Sequence, residues 1–141
     1  MQLDVSNGNK VVTAGNYYGQ EYQLASDTTL TSTNSTTPQT KVSMTTTNLP
    51  AGTYRITVHW IWNRLGNNQT ARFDLTLNGT PQGTTSTLTM RPTNTADWYT
   101  ESRNYFANLS GVNTITFRYW GSAVGNSTSV SDATIELIRV K

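Results

Sequence analysis

Few side chains in this sequence are equipped for chemistry. There is one histidine, His59, and no cysteine. Zinc needs several His, Cys or carboxylate ligands, so Cys-ligated and His-cluster sites are excluded, as are disulfides. A serine hydrolase needs a Ser-His-acid set on a nucleophile elbow, and no such segment occurs. His59 reads as a polar residue in the middle of a strand. The acids are Asp4, Glu21, Asp27, Asp74, Asp97, Glu101, Asp132 and Glu136. Glycoside hydrolysis uses two carboxylates about 5 to 10 Å apart across a cleft. Asp74, Glu101 and Glu136 read as polar-face strand residues, where solvation accounts for them, and Asp97 precedes Trp98 at a turn. Catalysis is not expected.

The aromatic residues carry the stronger signal, and it points to binding. Trp60 and Trp62 share one strand face. Long apolar alternation puts Trp60 in the core, while Trp62, at the strand end, suits either the core or an exposed platform. Trp120 lies with Thr116 and Arg118, opposite Phe117 and Tyr119, and Gly121 follows it. Trp98-Tyr99 lies near a turn, and Tyr17-Tyr18 follows Gly15-Asn16. Tyr17, Tyr18, Trp62, Trp98, Tyr99 and Trp120 therefore form a candidate aromatic rim. Such a rim suits stacking on sugar rings or burial in a neighbouring subunit.

These residues must be positioned by strands. No helix-length segment has a 3.6-residue apolar period, and period-two alternation dominates. In Thr53 to Trp62, Tyr54, Ile56, Val58, Trp60 and Trp62 lie opposite Arg55, Thr57, His59 and Ile61. In Thr70 to Asn78, Ala71, Phe73, Leu75 and Leu77 face inward, and Asn78-Gly79 signals a tight turn. Gly111 to Trp120 alternates Ile115, Phe117 and Tyr119 with polar residues, and Asp132 to Val140 turns Ala133, Ile135 and Leu137 inward. Weaker strands are expected over Glu21 to Ala25, Lys41 to Thr46, Thr84 to Met90 and Glu101 to Ala107. The Thr- and Ser-rich segment Thr28 to Thr40 fits a loop or an edge strand. The expectation is one all-β domain over residues 1–141, a sandwich of about eight strands, with residues 1–18 a candidate N-terminal assembly arm.

Composition narrows the partners. Charged residues are 13% of the chain against roughly 25% in ordinary soluble domains, and net charge is +2 with no basic cluster. Nucleic acid and anionic membrane both need concentrated positive charge, so neither is an expected partner. No stretch approaches the length of a membrane span. Thr, Ser and Asn together exceed a third of the residues, giving a surface solubilised by hydroxyls and amides. The five Asn-x-Ser/Thr sequons follow from that composition and carry no glycosylation claim. Met1-Gln2-Leu3-Asp4 lacks the basic and apolar regions of a signal peptide, so synthesis in the cytoplasm without general export is expected.

The order of landmarks supplies a resemblance. Leu49-Pro50-Ala51-Gly52-Thr53-Tyr54 opens the long strand and Leu77-Asn78-Gly79 closes the next. Gly111-Val112-Asn113-Thr114-Ile115 opens a third, and Asp132-Ala133-Thr134-Ile135-Glu136-Leu137 lies at the end. Over roughly Val42 to Val140 this set resembles the galactose-binding-like jelly roll of many carbohydrate-binding modules. That resemblance implies a jelly-roll sandwich and possible glycan ligands. It also implies a structural Ca²⁺ with Asp132 as one ligand and Glu21 as a poor match for another. Simple turn and cap roles account for both acids better than calcium does. The Thr-rich lead-in Thr28 to Thr47, running into Leu49-Pro50-Ala51-Gly52, is similar to small structural proteins of tailed-phage virions.

Two functions are expected from these resemblances. The first is a non-enzymatic virion protein, a capsid decoration (cement) protein. It would be a homo-oligomer, as a trimer, bound to the major capsid protein or other virion proteins. The second is a carbohydrate-binding module or a host-glycan-binding fibre tip.

Overall fold

A computed structural model describes residues 20–65, 70–83, 88–90, 97–124 and 127–141 of the chain. Ten strands follow one another: β1 Gln20–Asp27, β2 Thr31–Thr33, β3 Gln39–Thr45, β4 Leu49–Arg64, β5 Ala71–Leu77, β6 Thr80–Pro81, β7 Leu88–Met90, β8 Tyr99–Gly111, β9 Thr114–Gly121 and β10 Thr128–Arg139. All pairings are antiparallel. The first sheet runs β1-β10-β4-β8, with β2 paired to β10; the second runs β3-β9-β5-β6, with β7 paired to β5. The protein is an all-β jelly-roll sandwich, as its alternation predicts. The short β2 and β6 raise the strand number above the expected eight, and β7 lies within the strand expected over Thr84 to Met90. β2 lies within the segment whose sequence fits a loop or an edge strand.

The core is the meeting of the two inner rows. Tyr54, Ile56, Val58, Trp60 and Trp62 of β4 flank Val130, Ala133, Ile135 and Leu137 of β10. Against them lie Ala71, Phe73 and Leu75 of β5, Ile115, Phe117 and Tyr119 of β9, and Val42 and Met44 of β3. Trp60 packs on Phe117 at 4.9 Å and on Phe73 at 5.3 Å between ring centroids, and Phe73 stacks on Phe117. Aromatic pairs at these distances add about 0.5–1.5 kcal/mol beyond burial of area. The β5–β6 turn has Asn78 at φ 50° and Gly79 at φ 83°, the two positive values that a type I′ hairpin needs.

β4 is held at both ends. At its end, the fully buried Arg64 donates to the Thr128 hydroxyl and, at 3.3 Å, to the Ala123 carbonyl. At its start, Arg139 donates to the Ala51 carbonyl at 2.7 Å, and the Thr53 N–H donates to the Lys141 carbonyl, also at 2.7 Å.

Two acids differ from their expected surroundings. Asp74 is buried rather than solvated, and Arg118 donates two hydrogen bonds to it, at 2.8 and 2.5 Å. Its row faces away from the core, yet Asp74 and the next residue of that row, Thr76, are both buried. Glu101 pairs with Trp60, which places it in the inward row of β8 rather than on a polar face. An edge strand is only half overlaid by the opposite sheet, so a carboxylate there keeps access to water.

Candidate functional site

The first sheet leaves its outer face open. On β4 that face carries Arg55, Thr57, His59 and Ile61; on β8 it carries Thr100, Ser102, Asn104, Phe106 and Asn108. Across the sheet, Thr57 lies beside Asn104, Arg55 beside Phe106 and Thr53 beside Asn108. Phe106 is 66% exposed, although nothing in its ladder position requires an apolar side chain. The Thr57 hydroxyl donates to Asn104 Oδ1 at 2.7 Å, and the Thr53 hydroxyl donates to Asn108 Oδ1 at 2.9 Å. Each bond fixes an amide by its oxygen and leaves its NH₂ group for a ligand. The result is an aromatic ring between two oriented amide donors, all on alternate residues of one strand.

The neighbouring charges cancel. Arg55 Nη2 lies 3.6 Å from Glu136 Oε1, and the Tyr22 hydroxyl donates to Glu136 Oε2 at 3.5 Å. This half-exposed pair contributes about 0–1 kcal/mol to stability. It leaves Arg55, the charged cross-strand neighbour of Phe106, paired. Tyr22 and Leu24 of β1 extend the exposed apolar surface at the far edge of the same sheet.

The face runs into a cleft of about 410 Å³ lined by Ala51, Gly52, Thr53, Asn108, Leu109, Ser110 and Lys141. Pairing between β4 and β8 shifts register between Leu49 and Gly52, and this bulge opens the cleft. Gly52 is required there: a Cβ would lie 2.5 Å from the Lys141 carbonyl oxygen and 2.6 Å from Arg139 Nε. Thr53 and Asn108 belong to both the cleft and the open face, so the two form one continuous surface.

The expected aromatic rim is not assembled as the sequence suggests. Trp62 is 1% exposed and packs against Phe73 and Tyr99, because β4 continues to Arg64 and carries it into the core. Trp120 lies in the outward row of β9 but is only 6% exposed. Trp98 is exposed, and Tyr99 is half-buried against Trp62. Tyr17, Tyr18 and the arm over 1–18 lie outside the described residues. His59 is on the outer face as expected, exposed, with Thr134 and Ser102 as its cross-strand neighbours. Asp132 follows a register shift in β10, and Glu21 has φ 54° in β1. Among the described residues, no group of three His, Cys, Asp or Glu could hold a metal ion.

Phe106, Asn104 and Asn108 were absent from the sequence-derived rim. Alternation carried through 100–108 marks them, since Thr100, Ser102, Asn104 and Asn108 form a polar row with one aromatic in it.

No family model matches the sequence, and no curated protein matches it. Solved structures share the fold. Dimeric latent PorU from Porphyromonas gingivalis aligns with a TM-score of 0.58 and 10% identity, over 89% of this chain. The chain spans 13% of that protein's length. The CBM36-1 domain of a multidomain xylanase from the hindgut metagenome of Trinervitermes trinervoides aligns at 0.48 with 14% identity, over 81% of this chain and 95% of that one. The EclA C-terminal domain, a sugar-binding protein, aligns at 0.46 with 18% identity, over 96% and 89% respectively. At 10% identity the likeness to latent PorU is one of fold alone.

Proposed function

We propose that this protein is a non-catalytic glycan-binding domain that holds a neutral saccharide on the outer face of its first sheet. The observation that carries the reading is Phe106, exposed between Asn104 and Asn108, whose amide oxygens are fixed by Thr57 and Thr53. A sugar ring offers an apolar face of C–H groups and a rim of hydroxyls. The phenyl ring receives the first, and the two amide NH₂ groups receive the second. The cleft at the Gly52 bulge gives the ligand a second place to bury a unit. Arg55 and Glu136 neutralise each other, which favours an uncharged glycan over an acidic one.

Of the two functions expected from the sequence, glycan binding has a built surface behind it. No described residue favours attachment to a capsid. The test is binding of the purified protein to a panel of neutral polysaccharides and oligosaccharides. Binding is expected, with little dependence on salt because no net charge is engaged. Phe106→Ala is expected to weaken it about tenfold or more. Asn104→Ala and Asn108→Ala should each weaken it roughly threefold to tenfold. Stability of Phe106→Ala should change by no more than about 0.5 kcal/mol. No binding across the panel, or unchanged binding by Phe106→Ala, refutes the reading.

A further inference from the structure

The first sheet ends on one side at β8, a strand of 13 residues. Edge strands present a row of unpaired N–H and C=O groups, and proteins usually keep them short, bulged or charged to prevent pairing. β8 is long, and its register with β4 is unbroken from Leu109 to Tyr99. No other strand pairs with it among the described residues.

The order of residues along this edge is complementary to itself. Ser102 is the centre. On either side stand Glu101 and Arg103, then Thr100 and Asn104, then Tyr99 and Tyr105, and beyond them Trp98 and Phe106, each pair equidistant from Ser102. Antiparallel pairing of two such strands through Ser102 keeps every residue on its own face of the sheet. On the inward face Glu101 meets the partner's Arg103, and Tyr99 meets the partner's Tyr105. On the outward face Ser102 meets its own copy, Thr100 meets the partner's Asn104, and Trp98 meets the partner's Phe106. Opposite charges, aromatic pairs and hydroxyl–amide pairs are the cross-strand combinations that stabilise a sheet.

Exposure agrees with this. Trp98 is 47% and Phe106 66% exposed. Glu101 and Arg103 carry opposite charges two residues apart, and neither takes part in an ion pair among the described residues. A twofold axis satisfies both charges at once, since a contact from one copy is repeated from the other.

We propose that two copies of this chain join antiparallel along β8, about a twofold axis at Ser102, making one continuous sheet of the two first sheets. This goes beyond glycan binding and does not depend on it. The join also places the partner's Trp98 beside Phe106 and doubles the outer face.

Analytical ultracentrifugation of the whole chain tests the proposal. The wild type should sediment as a dimer in a concentration-dependent way. Glu101→Arg and Arg103→Glu each set like charges opposite one another twice and should weaken dimerisation roughly tenfold. The double swap restores opposite charges and should return affinity to near the wild-type value. Because the chain has no cysteine, Ser102→Cys gives a second measurement. It should form an intermolecular disulfide readily on mild oxidation, whereas Thr100→Cys, which lies opposite Asn104, should not. A wild type that stays monomeric to about 1 mM, a double swap no better than the single variants, or equal crosslinking at 100 and 102 overturns the proposal. Glu101 and Arg103 face away from Phe106, so monomeric charge variants should still bind glycan per site. The two readings therefore fail separately.

Discussion

The outer faces of the two sheets arise from the same alternation and end in opposite conditions. On the second sheet, the outward row of β5 and β9 is closed around Asp74, although Arg72 and Thr114 in the same row are exposed. Asp74, Thr76 and Trp120 are buried there, and Arg118 clamps Asp74 with two hydrogen bonds. On the first sheet, the outward row of β4 and β8 is open, with exposed His59 and Phe106 and a half-exposed Arg55–Glu136 pair. A polar residue on the closed face serves stability, because its charge or hydrogen bond has no water to fall back on. A similar residue on the open face costs little to remove, and so is available for a ligand.

Substitution of the two acids is the sharpest way to break this contrast. Asp74→Ala leaves the Arg118 guanidinium without its bidentate partner and is expected to cost about 3 kcal/mol, read as a lowered midpoint in urea unfolding. Equal costs for Asp74→Ala and Glu136→Ala would abolish the contrast. Next comes the one tight position of the open side. Gly52→Ala must displace both Arg139 and the Lys141 carbonyl and should cost about 2 kcal/mol. It should also weaken any ligand that enters the cleft.

A smaller effect is expected where the two sheets meet. Lys41 of β3, its side chain fully buried, donates to the Thr29 carbonyl and lies 3.3 Å from Asp27 Oδ2 of β1. Hydrogen bonds from the Thr29 hydroxyl and N–H, with Lys41 beside them, hold the Asp27 carboxyl below its ordinary value of 3.8. A lowered folded value means stability that is fully present above 3.8 and lost as pH falls through the folded value. Asp27→Asn should therefore cost about 1 kcal/mol at neutral pH, with the deficit shrinking in thermal melts toward about pH 3. The smallest effect belongs to Glu136→Ala, expected to be within about 0.5 kcal/mol because its partner is half solvated.

The central strands were legible because both ends of the argument agreed. In β4, β5, β9 and β10 the inward row is apolar over many residues, so period two fixes strand and face together. β8 was legible only in part. Its inward row contains Glu101 and Arg103, and a strand at the edge of a sheet tolerates charges there because the opposite sheet does not fully cover it. Alternation also says which face a residue takes but not what lies over that face. Trp120 was placed on the correct side of β9 and is buried all the same. Trp62 could be read as strand end or strand interior until the strand's extent to Arg64 settled it. Phe106 was hidden for the converse reason: within a weak strand an aromatic residue looks like core, and only its polar neighbours at every second position mark it as exposed.

The position of β10 has a consequence for how the protein is made. β10 is the last of the described strands, yet it lies between β1 and β4, and β1 pairs with it across more than a hundred residues of sequence. On the ribosome, β1 must wait until β10 emerges for the one sheet neighbour it has among the described residues. Assembly dominated by such distant pairings is slow, and its waiting strands are exposed to aggregation. The backbone N–H groups of Val140 and Lys141 also donate to the Thr53 carbonyl, so the start of β4 can gain these bonds only after β10 has emerged. A chain shortened before β10 would lose the middle of its first sheet, where a chain shortened before an edge strand loses only a border.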